Sequence, residues 1–147
     1  MKTTTLYRPI GPEQLAHLKQ RDFAAFPGEE MQQKFFYPLL HESFARRLAL
    51  EWYLPQFGAA HIVSFDINSH YLEQFEVKRI GGPEHTEYRI PVTQIDRLNK
   101  QLLGKIQLLS SYQTGALNSA GQVITPVRSN FFHLAGQLSN SSLSCLA

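Results

Sequence analysis

A chain of 147 residues, 43% hydrophobic and 18% charged, has the length of one ordinary domain and is too apolar to be disordered throughout. Its formal net charge of +2, with Lys and Arg dispersed rather than massed, supplies no electrostatic footprint for nucleic acid. The single cysteine, Cys145, excludes an internal disulfide, no Cys/His spacing suits zinc, and no apolar run approaches membrane-spanning length.

The N-terminus, MKTTTLYRPI, lacks the apolar core of a signal peptide, so the chain reads as cytoplasmic, with leaderless export left open. Thr5–Ile10 is predicted as a strand. Gly11-Pro12 then suits a helix start, predicting a helix over Pro12–Gln20 with Leu15 and Leu18 inward. Lys34–Leu40 reads as a short buried strand whose Pro38 suits an edge or strand end. From His41 to Tyr53, Phe44, Ala45, Leu48, Ala49 and Trp52 recur at helical spacing, and Pro55 and Gly58 are expected to end that helix. His61–Ile67 alternates as a strand, with Val63, Phe65 and Ile67 on one face.

Asn68-Ser69 is expected to cap a short helical turn through Tyr71, Leu72 and Phe75. Val77–Ile80 and Thr86–Ile90 are predicted to form a hairpin about Gly81-Gly82-Pro83. Pro91 and Thr93 open a further helix carrying Ile95, Leu98 and Leu102, Gly104 stops it, and Lys105–Leu109 is the last predicted strand. After Tyr112 the composition changes: one charged residue, Arg128, stands among many Ser, Asn, Gly and Gln. The chain thus divides into a domain over 1–112 and a low-charge extension over 113–147, where Gln122–Val127 and Asn130–Leu138 are a candidate strand and helix.

Nucleotide-binding and hydrolase motifs are missing: there is no GxxxxGK, GxGxxG, GxSxG or HExxH. Three segments remain that concentrate polar chemistry. They are Leu6-Tyr7-Arg8 on the first strand, Phe35-Phe36-Tyr37 before the amphipathic helix, and Glu84-His85-Thr86-Glu87-Tyr88 behind the glycine pair. Each has an ordinary structural explanation as well, a strand salt bridge for Arg8, plain core for Tyr37 and a solvated hairpin tip for the acidic segment.

In this order, and with GGPEHTEYRIP followed by IDRLN and LLGKI, the segments resemble ADP-ribosyltransferases, in particular small bacterial toxin-type domains. YRPIGPEQL and FFYPLLHESFA are similar to uncharacterised bacterial proteins labelled as ADP-ribosylation-related, and the resemblance spans about residues 5–110. It implies an α+β fold of split antiparallel β-sheets with flanking short helices, gripping NAD as substrate and transferring ADP-ribose to an acceptor that the sequence does not name. Independently of the resemblance, the lack of a membrane-spanning run argues against a membrane partner, and the lack of a basic stripe makes nucleic acid an unlikely one.

By position, the resemblance gives Arg8 to the cofactor's phosphates or adenosine-side ribose, Tyr37 to the nicotinamide pocket, and Tyr7 and His85 to the same cofactor-contacting set. Glu87 matches the motif glutamate. Cleaving the nicotinamide–ribose bond builds positive charge on the sugar, so a carboxylate at the ribose 2′-OH stabilises the transition state. Glu84 is the candidate to orient the acceptor as general base. Family members that modify arginine separate their two acidic or amide residues by one position, whereas two separate Glu84 from Glu87, and FFYPLL replaces the Ser-Thr-Ser pattern of some branches. The second reading is therefore a catalytically silent relative that serves as a binding or regulatory module.

Overall fold

The computed structural model describes residues 2–28, 34–79, 81–82 and 85–114. It is an α+β protein with two three-stranded antiparallel sheets. The first is ordered β1 (Thr3–Ile10), β3 (Ala59–Asn68), β6 (Gln107–Gln113), and the second β2 (Phe35–Phe36), β5 (Thr86–Pro91), β4 (Glu76–Arg79). The predicted strand 77–80 is therefore shifted by one residue, with Ile80 outside the described residues, and the last strand starts later than Lys105 and runs to Gln113. Both candidate elements of the 113–147 extension lie outside the described residues.

One residue joins the sheets. Leu39 exchanges two backbone hydrogen bonds with Tyr7 of β1, each 2.8 Å, and is bridged on its other side to Glu87 of β5. The register between 35–39 and β5 is constant from Phe35↔Pro91 to Leu39↔Glu87. Lys34–Leu40 is thus extended and paired, as expected, but regular strand is confined to Phe35–Phe36. Pro38 explains this. Its carbonyl accepts from the Tyr88 N–H at 2.9 Å, while its ring nitrogen has no proton to return the bond. Pro38 consequently lies between β5 and β1 and not at a sheet edge.

Helices cover both faces. On one face, α1 (Pro12–Gln20), α4 (Ser69–Leu72) and α5 (Ile95–Lys100) bury a cluster that includes Leu6, Ile10, Leu18, Phe36, Phe65 and Ile90. On the other, Leu39, Ala60 and Ile62 pack against Phe44, Leu48 and Leu54. β3 faces both clusters, so Ile62 and Val63 are alike fully buried, a two-sided burial that the expected alternation did not convey.

The helix after His41 runs past its expected end. α2 (Glu42–Leu48) continues through a π-helical turn, Ala49–Tyr53, into α3 (Leu54–Phe57), so Pro55 does not break it. Proline at 55 lacks the N–H that would return to Glu51, and its ring would crowd that carbonyl in a regular α-turn. The wider turn, in which the Leu54 N–H donates to the Ala49 carbonyl five residues back, relieves that conflict. Gly58 then ends the helix with φ of 75°, its N–H donating to Leu54. The later helix also differs from expectation: Val92–Gln94 forms a 3-10 turn, and α5 ends at Lys100 instead of reaching Gly104. Among the described residues, no helix is long and apolar enough to cross a membrane.

Candidate functional site

The antiparallel register decides which candidate residues meet. Directly opposed residues project to the same side of a sheet, and successive residues alternate. Tyr7, Leu39 and Glu87 therefore form one row across the seam, continued by Lys78, the partner of Glu87 on β4. A second row on the same face contains Tyr37 and Arg89, with Glu76 opposite Arg89 on β4. Tyr7, Tyr37 and Glu87 are thus brought to one face.

Arg8 is not. It projects to the opposite side, where its guanidinium carbon lies 4.4 Å above the centre of the Phe36 ring. The residue is 2% exposed, and its Nε has no hydrogen-bond partner among the described residues. The expectation that one cleft holds both Arg8 and Glu87 conflicts with this register, because burying the hydrophobic run Leu6, Ile10 and Phe36 carries Arg8 inward with it.

Glu87 is equally buried, at 2% exposure, and its Oε2 has no hydrogen-bond partner among the described residues. Burial pushes the carboxyl from its ordinary 4.5 up to about 8, against the opposing pull of Lys78. At neutral pH the side chain is a carboxylic acid, able to donate one hydrogen bond as well as accept.

His85 sits at the end of the turn behind the glycine pair, with its backbone N–H donating to the Gly82 carbonyl at 3.0 Å. Its ring stacks on Phe44 of α2 at 4.5 Å between centres, and Nδ1 accepts from the Gly82 N–H at 3.3 Å. The stack also ties the hairpin to the first turn of α2. Glu84 lies outside the described residues, so its place relative to Glu87 is not part of this geometry.

Arg89, which was not among the sequence candidates, shares the face. Its guanidinium carbon lies 3.9 Å over the Phe35 ring, and Phe35 and Tyr37 stand 6.2 Å apart between centres. The signal was present in the sequence: Arg89 is two residues beyond Glu87 in a predicted strand, a spacing that repeats the same face.

Away from this face, a cavity of about 530 Å³ is lined by Asn68, His70, Tyr71, Glu73, Gln74 and Gln101 and includes none of the candidates. Among the described residues, no three His, Cys, Asp or Glu side chains converge as metal ligands. Comparison with protein-family models, curated proteins and solved structures returned no match.

Proposed function

We propose that the chain is an ADP-ribosyltransferase-type protein that binds NAD on the part of the Tyr7, Tyr37 and Glu87 face that α2 leaves uncovered and transfers ADP-ribose to an acceptor nucleophile. The supporting observation is the placement of a buried carboxyl, one oxygen of which has no hydrogen-bond partner among the described residues, in one row with Tyr7 and on the same face as Tyr37. Nicotinamide in NAD is a flat cation. Tyrosine rings suit its plane and charge, and Glu87 suits the ribose hydroxyl beside it.

The group fits the chemistry of these residues. A neutral Glu87 can donate to or accept from the 2′-OH on binding, and the nearby pyridinium charge favours release of its proton to water. The resulting carboxylate then opposes the positive charge that builds on the ribose as nicotinamide leaves with the bonding electron pair. The acceptor nucleophile forms the new bond at the same ribose carbon and releases its proton to water. The family's split pair of sheets would correspond to the two sheets joined at Leu39.

Incubation with NAD and chromatography of released nicotinamide tests the proposal. Release by the wild type that is lost in Glu87→Gln supports it, whereas equal release by both would move the catalytic carboxyl elsewhere. The silent-relative reading is favoured by one specific observation, the near-complete burial of Glu87. It predicts calorimetric binding of NAD with no nicotinamide released.

A further inference from the structure

Resting on the NAD-binding reading above, we infer that Arg89, not Arg8, receives the dinucleotide's phosphates. Phosphate recognition requires a guanidinium whose N–H edge can reach a solvated anion on the same face as the reacting carboxyl. Arg89 meets both conditions. It stands two residues from Glu87 on β5, roughly 7 Å along the strand, a separation comparable to the ribose and 5′ carbon that divide the nicotinamide linkage from the first phosphate.

Stacking on Phe35, 3.9 Å from the guanidinium carbon, holds the plane of the guanidinium without using its N–H donors. Its Nε is buried and without a hydrogen-bond partner among the described residues, while the side chain as a whole is 34% exposed, so access for an anion is from the rest of the guanidinium. The neighbouring anion, Glu76, approaches only to 3.8 Å and is itself exposed, so an incoming phosphate competes with a loose, water-screened contact. Arg8 faces the other way. Delivering a diphosphate to it would force two negative charges among Leu6, Ile10 and Phe36.

Calorimetric titration separates the two arginines, using NAD and nicotinamide riboside, which keeps the nicotinamide and ribose but has no phosphate. Arg89→Met retains the unbranched stem over Phe35 and removes the charge. It should weaken NAD binding by about tenfold or more while leaving riboside binding unchanged. Arg89→Lys, which keeps a charge without the fork, should fall between Arg89→Met and the wild type. Arg8→Met should bind both ligands as the wild type does.

Undiminished NAD binding by Arg89→Met, or a phosphate-selective loss in Arg8→Met, would overturn the inference while leaving the NAD-binding reading intact. Wild type that bound the riboside but not NAD would also overturn it. Failure of the wild type to bind either ligand would remove the reading on which it rests.

Discussion

Glu87 carries a proton that its unfolded counterpart gives up some three pH units earlier. Between about 4.5 and about 8 the folded chain binds more protons than the unfolded one, so stability falls as pH rises through this window. The contribution is complete below the unfolded value and gone above the folded one, a swing on the order of 4 kcal/mol. Glu87→Gln keeps the shape without the charge. It should match the wild type near pH 4 and exceed it by about 3–5 kcal/mol at pH 9 in urea unfolding. A difference that did not change with pH would return the carboxyl to its ordinary range. Turnover should move the opposite way, with kcat/KM for NAD rising with pH and levelling off above about 8 as the free protein's Glu87 ionises.

Arg8 makes the complementary case of a buried charge that chemistry on the Glu87 face does not use. Its long apolar stem packs in the core, while its charged head lies over the Phe36 ring and its Nε has no hydrogen-bond partner among the described residues. Arg8→Met preserves the volume and removes the desolvation cost, so its thermal midpoint should equal or exceed that of the wild type. Arg8→Ala, which leaves a cavity, should lose about 2–4 kcal/mol. A large loss in the methionine variant would reveal a polar role for the guanidinium. Read from the sequence, Tyr7 and Arg8 both fall to the cofactor, because only the non-local pairing of Tyr7 with Leu39 and of Leu39 with Glu87 sets the face and parts them.

At the scale of elements, local chemistry was read well where it acted alone. Gly11-Pro12 defines the start of α1, and Asn68 caps α4 by accepting the His70 N–H at 3.0 Å. Pro38 and Pro55 misled in opposite ways because each is accommodated by its surroundings, one between two strands and one behind a widened helical turn. Gly58 is the residue that truly stops the helix. Among the described residues a Cβ there would meet only Thr114 Oγ1, at 3.9 Å, so the penalty of Gly58→Ala comes from the positive φ. It should cost about 1 kcal/mol in chemical unfolding. A neutral effect would show that the helix end relaxes to negative φ.

Over the whole molecule, both apolar clusters are built from described residues between Leu6 and Tyr112, and the Thr114 N–H and hydroxyl both bond to the Gly58 carbonyl. A chain ending at Thr114 should therefore unfold in one cooperative transition, observed with matching midpoints by circular dichroism and Trp52 fluorescence. Aggregation of that shorter chain would instead assign a covering role to residues 115–147. The point at risk is β6, where Leu108 and Leu109 are 43% and 42% exposed and the strand QLLSSYQ carries no charge to discourage pairing with another copy.

The junction at Leu39 sets a clock inside the protein. Tyr7 and Glu87 belong to different sheets, and the backbone of this one residue spans the gap between them. The amide protons of Tyr7 and Leu39 are consumed in the two bonds of that junction, so their deuterium uptake times its opening. Both lie against the packed face of α2 and should exchange only with global unfolding, later than the amides at the ends of β6. A molecule that touched Tyr7 and Glu87 together would act as a rivet between the sheets, and the uptake at these two amides would slow in proportion to its occupancy.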